Sequence, residues 1–349
     1  MPGPDVILET RDLTTVLGGA RGFLRRRQPA TRAVDGVSLS VKRGETLGIV
    51  GESGCGKTTL ARTLLGVVRE TSGEIWVEGE RTDGLDPKAA RRRRRVIQYL
   101  HQDAGGSLDP WWSVGGAMKE AFDLSGRSGA ESEIDRTLSA VGLDLSVKRL
   151  YPHQLSGGQT RRVALARIMI LSPKIVILDE PTAGLDLSIQ AAVLRLLADV
   201  KAEFRLTNLF ISHDISVVRL MCDRVAVMYR GRIVEQGPAA DVFRSQRHPY
   251  TRALVAATPR LGPRVMTAAI AGDPPGMIQD IPGCAFHTRC AHALDVCRSR
   301  RPELESIAGG SEVACHRWRD FEPPPGETTP QREATGGNHD SLFGTTPAG

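Results

Sequence analysis

Apolar residues in the first fifty positions predict β-strands at residues 6–16 and 45–50. The segment between them, residues 18–32, is rich in arginine and has no apolar periodicity, so we expect an exposed loop there. A glycine-rich turn follows the second strand, and the apolar residues of 58–68 then recur at helical spacing. The pattern therefore predicts strand, turn and helix around residue 51.

Further short strands are predicted at residues 73–79 and 95–100, whereas residues 115–170 have mainly helical patterning. Strands and helices alternate again over residues 174–221, and a hairpin follows at residues 224–237. Strands that alternate with helices imply a largely parallel sheet covered on both faces. The predicted fold class is α/β, interrupted by a helical insertion.

Composition indicates a soluble, folded protein, because 40% of the 349 residues are apolar and 25% are charged. The longest apolar run has five residues, as at 225–229, whereas a membrane span needs about 20. The acidic amino terminus does not resemble an export signal, so we expect a cytoplasmic location. The net charge of +6 suits nucleic acid, an anionic membrane face or a nucleotide, and by itself does not choose among them.

Residues 51–58 match the P-loop pattern G-x-x-x-x-G-K-[ST] in full, between a predicted strand and a predicted helix. In such a loop, successive backbone N–H groups surround phosphate oxygens, the lysine neutralises charge and the hydroxyl can ligate Mg²⁺. The alternative, a glycine turn that merely starts a helix, does not need all the fixed positions. The predicted ATP-binding residues are Gly51, Ser53, Gly54, Cys55, Gly56, Lys57, Thr58 and Thr59.

Two adjacent acids, Asp179 and Glu180, end the apolar strand Ile-Val-Ile-Leu-Asp-Glu. Unpaired carboxylates are costly in a buried strand, so a use for them is expected. Beside a P-loop, Asp179 can hold Mg²⁺ and Glu180 can deprotonate the water that attacks the γ-phosphorus. Alone, the pair could equally cap a helix; the complete P-loop favours catalysis.

The motif Leu155-Ser-Gly-Gly-Gln159 lies between the P-loop and the acid pair, and with it the chain resembles the ATP-binding cassette (ABC) family. The resemblance implies a P-loop cassette with a RecA-like core, an antiparallel β part and a helical subdomain. It also implies a head-to-tail dimer that sandwiches two ATP molecules, each between one P-loop and the partner's signature loop. The residues implied to face the partner's ATP are Ser156, Gly157, Gly158, Gln159 and Asp186.

The resemblance gives roles to two further residues, Gln102 and His213. Gln102 is implied to contact Mg²⁺ and the attacking water while it senses a transmembrane partner, and His213 is implied to hold the γ-phosphate. Mg²⁺ is then held by Thr58, Gln102 and Asp179, with Glu180, His213 and Gln102 as the catalytic set. A lone glutamine or histidine is usually structural, so only the register with the other motifs supports these roles.

Within the family, the chain is similar to the ATPase subunits of oligopeptide and dipeptide importers. The resemblance rests on AVDGVSLSVKRGETLGIVGESGCGKTTLAR, YPHQLSGGQ, LDLSIQA, HPYTRAL and PGCAFHTRC. Three features depart from it: Gln102 is followed by Asp-Ala-Gly-Gly, the D-loop is Ala-Gly-Leu-Asp186, and residues 28–33 lack an adenine-stacking aromatic, leaving Phe23 or an arginine as substitute.

The resemblance implies a nucleotide-binding domain at residues 1–240, with its helical subdomain at about 104–170, and a C-terminal transporter module at 241–320. Residues 321–349 are rich in Pro, Gly, Thr and Glu and are predicted to be a disordered tail. The implied partners are two transmembrane permeases, a second and similar cassette chain, and an extracytoplasmic solute-binding protein. The chain is then peripheral on the cytoplasmic side of the membrane, and its cargo stays open between peptide, nickel complex and other solutes.

Four of the six cysteines, Cys284, Cys290, Cys297 and Cys315, are spaced C-x5-C-x6-C-x17-C in a proline-rich segment. Such a cluster suggests a metal that staples a region with little core, although zinc knuckles usually have shorter gaps. The resemblance to the peptide importers favours a [4Fe-4S] cluster, with a structural or a switching role. Free buried thiols are the alternative, and His287, His292 or His316 could replace a ligand.

Five consecutive arginines, Arg91 to Arg95, invite a nucleic-acid interpretation, but no aromatic residues are interleaved with them. A solvated helix face is the simpler expectation, so no nucleic-acid partner is predicted. The rival hypothesis is a soluble ABC ATPase that acts on nucleic acid or ribosomes. Such proteins typically carry two cassettes, long coiled coils or zinc modules inside the cassette, which this sequence lacks.

Overall fold

The computed structural model of the protein describes residues 3–18, 30–84, 87–100, 106, 108–127, 130–258 and 281–321. None of the helices in these ranges combines the length and the apolar character that crossing a bilayer requires. The strands are β1 (Val6–Leu17), β2 (Thr31–Lys42), β3 (Thr46–Val50), β4 (Ser72–Val77), β5 (Glu80–Arg81), β6 (Ile97–Leu100), β7 (Ile175–Asp179), β8 (Thr207–Ser212), β9 (Arg224–Tyr229), β10 (Arg232–Pro238), β11 (Glu305–Ile307) and β12 (Ser311–Val313). The helices are α1 (Lys57–Leu64), α2 (Pro87–Val96), α3 (Val114–Ser125), α4 (Ala130–Ala140), α5 (Gly157–Met169), α6 (Leu187–Phe204), α7 (Ile215–Met221), α8 (Ala239–Ser245), α9 (Pro249–Ala257) and α10 (Asp295–Ser299).

The larger of two sheets has the strand order β11-β12-β10-β9-β3-β8-β7-β6. Strands β9, β3, β8, β7 and β6 are parallel to one another. Strand β10 is antiparallel to both β9 and β12, and β11 is antiparallel to β12. Strand β3 lies between β8 and β9 and is buried along its whole length. The predicted α/β fold is confirmed, and the carboxyl end of β3 opens at the sheet edge where such folds bind ligands.

The smaller sheet, β2-β1-β4-β5, is antiparallel and includes two strands that were not predicted from the sequence, the long β2 and the two-residue β5. Residues 31 and 32 of the predicted loop 18–32 instead begin β2, while residues 19–29 lie outside the described residues. In β2, Val37, Leu39 and Val41 are buried and alternate with half-buried serines. This period of two is the signal that could have identified the strand.

The predicted helical insertion is present as α3, α4 and α5. Apolar residues on their facing sides pack into one core, in which Met118, Phe122, Leu138 and Val163 are each at most 2% exposed. Ser113 begins α3 with a side-chain oxygen that accepts the Gly116 N–H at 3.2 Å, a regular helix cap. The helical part therefore packs against the main sheet in one continuous core, which also contains Leu100, Val176 and Phe210.

The prediction for the arginine run was wrong in part. The run belongs to α2, which continues to Val96, so the strand expected at 95–100 begins only at Ile97. Four of the five arginines are exposed, as a solvated face requires, but Arg93 is 2% exposed and its guanidinium lies 3.9 Å from the Glu70 carboxylate. A run of identical charged residues cannot show which of its members points inward.

The C-terminal region joins the main sheet through its hairpin. Strands β11 and β12 pair with each other, and β12 pairs with β10, so residues 305–313 extend the sheet. The turns that carry the four cysteines lie in the same region, where Phe286 packs against Tyr229 at a ring distance of 5.3 Å. Of the predicted tail, residue 321 ends a short helical turn and residues 322–349 lie outside the described part.

Candidate nucleotide-binding site

The turn after β3 has the shape that its glycines permit. A Cβ atom on Gly51 would lie 2.2 Å from the Met228 carbonyl oxygen, and one on Gly56 would lie 2.1 Å from that of Ala33. Gly56 also has a φ of 111°, in the left-handed region that glycine tolerates. These approaches hold the loop against β9 and β2, so that α1 begins directly at the mouth of a cleft.

Lys57 is the first residue of α1, and its side chain is 7% exposed. Its ammonium donates hydrogen bonds to the carbonyl oxygens of Gly51 at 2.7 Å and Glu52 at 3.0 Å. Because Gly56 has no side chain to cap the helix, the first-turn N–H groups of α1 are left to an anion at this end. The loop and the lysine together form a phosphate site.

Asp179 ends β7 beside α1, and its two carboxylate oxygens differ in their hydrogen bonds. Oδ2 accepts hydrogen bonds from the Thr58 hydroxyl at 3.0 Å and from the Tyr99 hydroxyl at 2.6 Å. Oδ1 is buried and accepts no hydrogen bond within the described part of the chain. A buried carboxylate oxygen without a donor, next to a threonine hydroxyl, fits a hard divalent cation such as Mg²⁺.

Tyr99 was missed by the sequence analysis, although it lies on the strand next to β7. Burial and its hydrogen bond to Asp179 raise the pKa of its phenol, so it stays protonated and donates to the carboxylate. The signal that could have found it is a polar residue near the carboxyl end of a strand parallel to β7. In the register, Tyr99 pairs with Ile177, two residues before Asp179.

Glu180 adopts a left-handed φ of 51°, which is rare for a residue with a side chain. Its N–H donates to the Ile211 carbonyl oxygen at 2.9 Å, which helps to hold this conformation. His213, after β8, places its Nδ1 2.9 Å from both carboxylate oxygens of Glu180. Backbone strain of this kind persists where the surroundings fix it, and it is common at active sites.

These residues surround one open cleft of about 650 Å³. Most of its lining residues are those predicted from the sequence, and the structure brings together the P-loop, the acid pair and His213. Gly51 and Cys55 are exceptions, because neither lines the cleft. The Cys55 thiol is buried below the loop, 5% exposed, where burial raises its pKa. The cleft is lined by Leu17, Thr31, Ala33, Ser53, Gly54, Gly56, Lys57, Thr58, Thr59, Asp179, Glu180, Ala183 and His213.

The signature loop does not share this cleft within the described residues. Ser156 caps α5, where its hydroxyl oxygen accepts the Gln159 N–H at 3.2 Å and the Gln159 side chain accepts the Ser156 N–H at 2.9 Å. Gly157 and Gly158 are exposed, with open space around them. The start of α5 is therefore capped by its own residues and faces solvent.

The remaining predicted residues lie apart from the cleft or outside the described part. Asp186 is exposed and caps α6, accepting the N–H groups of Ser188 at 3.0 Å and Ile189 at 2.9 Å. Gln102 and Phe23 lie outside the described residues, so their expected contacts stay predictions.

The four C-terminal cysteines line one small enclosed cavity, together with His287, His292 and His316. Burial raises the pKa of the Cys284 thiol to about 11 and that of Cys315 to about 12, so both are protonated at neutral pH. Within the described residues, no group of three or more His, Cys, Asp or Glu side chains is arranged to hold a single metal ion. The predicted iron–sulfur cluster is therefore not confirmed.

The chain is similar to known proteins in both sequence and fold. The family model described as ABC transporter matches residues 34–183, and that described as oligopeptide/dipeptide transporter, C-terminal region, matches residues 234–297. The chain is 41% identical to the Di/tripeptide transport ATP-binding protein DppF of Pseudomonas aeruginosa, over 91% of this chain and 99% of that protein. It is 43% identical to the Dipeptide transport ATP-binding protein DppF of Escherichia coli, over 84% of this chain and 89% of that protein.

Among solved structures, CbiO1 of Clostridium perfringens, part of the ABC transporter complex CbiONQ, has a TM-score of 0.58 and 30% identity, over 69% of this chain and 92% of that chain.

Proposed function

The chain belongs to the ABC transporter family and carries that family's oligopeptide/dipeptide C-terminal region, and on this premise we propose that it is the ATP-hydrolysing subunit of a peptide importer. Its cassette fold, with a mixed main sheet, is that of the ABC ATPases. The observation that carries the ATPase function is the convergence of Lys57, Asp179 and Glu180 on one cleft. The peptide cargo follows from the relatives, which are named as peptide transport proteins.

In the proposed reaction, Lys57 and the first N–H groups of α1 bind the β- and γ-phosphates of ATP. Thr58 and Asp179 hold Mg²⁺, which when bound draws charge from the phosphate oxygens. Glu180 accepts a proton from the attacking water as the new oxygen–phosphorus bond forms and the bond to the β–γ bridging oxygen breaks. His213, already against Glu180, orients that carboxylate and reaches the γ-phosphate.

A complete ATP site in this proposal needs a second cassette. The exposed start of α5 lies off the chain's own cleft, where the N–H groups of Gly157 and Gly158 can face an ATP held by a partner. Beside Asp186, the apolar side chains of Leu187 and Ile189 are exposed by 83% and 47%, which supports burial by another chain. We assign this place to a similar but non-identical cassette chain.

The membrane partners are proposed to be two permeases that receive the motion of the cassettes, supplied with solute by an extracytoplasmic binding protein. The chain then sits on the cytoplasmic side of the membrane as a peripheral subunit. Gln102 is the proposed contact. Farther along the chain, Trp111 and Trp112 are exposed by 86% and 46%, which supports a docking surface on that segment. The same contact would transmit ATP binding to the permeases.

A [4Fe-4S] cluster is proposed in the cysteine cavity. Four thiols are a soft donor set that suits iron–sulfur clusters, and all four line the same cavity. Bound there, the cluster would replace the thiol protons and staple the C-terminal turns.

Purification of the chain in mild detergent from its native membranes, followed by mass spectrometry, tests this function. The proposal expects permeases, a second cassette and a solute-binding protein in stoichiometric amounts. Ribosomal proteins or nucleic acid in place of permeases would instead support a soluble ABC ATPase that acts on those partners. Nuclease treatment before elution separates a specific nucleic-acid complex from charge-driven carry-over.

A further inference from the structure

Glu52, the second residue of the phosphate loop, is held by the C-terminal region. The Arg289 guanidinium forms two parallel hydrogen bonds with the Glu52 carboxylate, at 2.8 and 3.0 Å. The Tyr250 hydroxyl accepts the Glu52 N–H at 2.8 Å. Both the side chain and the backbone of this loop residue are therefore fixed by groups from outside the P-loop motif.

The contact between Glu52 and Arg289 is largely shielded from water. The Arg289 side chain is 6% exposed and the Glu52 side chain 20%. Two-point pairing of a planar guanidinium with a carboxylate fixes direction as well as distance, which a lysine could not do. Loss of either partner would leave the other charge poorly solvated, so the pair holds the loop and the C-terminal region together.

Arg289 belongs to a turn that carries two of the four clustered cysteines, Cys284 and Cys290. The Arg289 N–H donates to the Phe286 carbonyl oxygen at 3.0 Å, and the Cys284 N–H donates to the Cys297 carbonyl oxygen at 2.8 Å. Phe286 in turn packs against Tyr250 at a ring distance of 5.4 Å. We call residues 284–290 the cysteine turn; it reaches the phosphate loop through both the ion pair and the aromatic contact.

A carboxylate in a loop that surrounds a polyphosphate repels the bound phosphates, because both carry negative charge. ATP carries several negative charges, and an unpaired Glu52 would repel them across a short, partly desolvated distance. Arg289 neutralises Glu52 and draws its side chain away from the cleft, to whose lining Glu52 does not contribute in the described residues. The Glu52 carbonyl oxygen meanwhile accepts from Lys57, so a displaced Glu52 would also disturb the phosphate-binding lysine.

We propose that Arg289 is a positioning residue of the ATP site, which holds and neutralises Glu52 and thereby makes the phosphate loop's affinity for ATP depend on the cysteine turn. The inference rests on the proposed function, because it requires ATP at the P-loop. It extends that function by placing part of the ATP affinity in the C-terminal region.

The test measures the affinity of the purified full chain for a fluorescent ATP analogue, with thermal unfolding recorded for every variant. Arg289→Ala is expected to bind the analogue about tenfold more weakly, a typical coupling between sites. Adding Glu52→Gln to that variant is expected to restore most of the affinity, since it removes the unneutralised charge. Arg298→Ala is the matched control: its exposed side chain lies in the same region and pairs only with Asp295 among the described contacts.

Each outcome bears on the proposal. Unchanged affinity in a folded Arg289→Ala variant, with or without a lower melting temperature, overturns it, and so does a failure of Glu52→Gln to restore binding. If Arg289→Ala does not fold, the affinity for the ATP analogue is measured on Arg289→Lys instead. That variant keeps the charge but not the two-point geometry. A wild-type chain that binds no ATP analogue overturns the proposed function itself, whereas wild-type binding with an unaffected variant overturns only the role of Arg289.

Discussion

The Nδ1 atom of His213 lies 2.9 Å from both carboxylate oxygens of Glu180, although the two residues follow different strands of the main sheet. The parallel pairing of β7 with β8 brings their carboxyl ends to the same edge, and the left-handed backbone of Glu180 turns its side chain toward His213. The contact joins the proposed general base to the residue proposed to sense the γ-phosphate.

Replacing His213 with alanine is expected to lower the ATPase turnover of the assembled complex about a hundredfold, a typical loss for a group that stabilises developing charge. ATP binding should change little, because the P-loop contacts do not involve His213. His213→Gln, which keeps an N–H donor, should retain more activity. Turnover and nucleotide affinity measured separately decide the point, and an equal loss in both would contradict the assignment.

Tyr99→Phe should lower the affinity of the site for Mg²⁺ and so raise the Mg²⁺ concentration that ATP hydrolysis needs, because the Tyr99 hydroxyl orients the carboxylate proposed to hold the ion. Loss of such a supporting hydrogen bond typically costs about tenfold in metal affinity. A titration of ATPase rate against Mg²⁺ concentration gives the half-saturating value directly. An unchanged value would mean that Asp179 does not depend on this hydrogen bond, and ATP binding without Mg²⁺ serves as the internal control.

Anaerobically purified protein is expected to contain iron and the broad visible absorbance of an iron–sulfur cluster. Cys290→Ser should remove both, since Cys290 lines the proposed cavity. Cys222→Ala is the matched control, because Cys222 is buried between β3 and α7, away from that cavity. Wild-type protein without iron would leave the four cysteines as buried thiols.

Arg93→Ala should destabilise the protein by about 3 kcal/mol, because it removes the charge that faces the buried Glu70 carboxylate and leaves that carboxylate the Gly84 N–H as its donor. Arg92→Ala, one position earlier on the same helix, removes an exposed side chain and should stay within about 0.5 kcal/mol of the wild type. The free energy of unfolding in urea compares the two. Equal effects would contradict the burial of Arg93.

The motifs that carry chemistry could be predicted from the sequence because their residue types are set by the bound phosphate rather than by distant contacts. The P-loop, Asp179, Glu180 and His213 meet on one cleft as expected. Contacts between separate parts of the chain could not be predicted in this way. The partners of Glu52, Tyr250 and Arg289, lie 198 and 237 residues away in sequence. Both belong to motifs that support the resemblance, HPYTRAL and PGCAFHTRC, but neither motif indicates a contact with the phosphate loop.

Which arginine of the run is buried could not be predicted from the sequence either. Arg93 turns inward because of its position on α2, and its partner Glu70 comes from the segment before β4. The unpredicted strand β2 is different, since its alternation was visible in the sequence and was obscured only by the arginine-rich stretch before it. The fold is thus more predictable from local patterns than the long-range ion pairs that tie its parts together.

ATP-driven peptide uptake into vesicles that contain the purified complex tests the central claim most directly, with wild-type chain compared with Glu180→Gln. Glu203→Gln, an exposed change on α6, is the matched control. The account predicts uptake with the wild type and the control, and none with Glu180→Gln, which should still bind ATP. Full uptake and hydrolysis with Glu180→Gln would contradict the assignment of Glu180 as the base, and no ATP-dependent uptake with the wild type would contradict the importer itself.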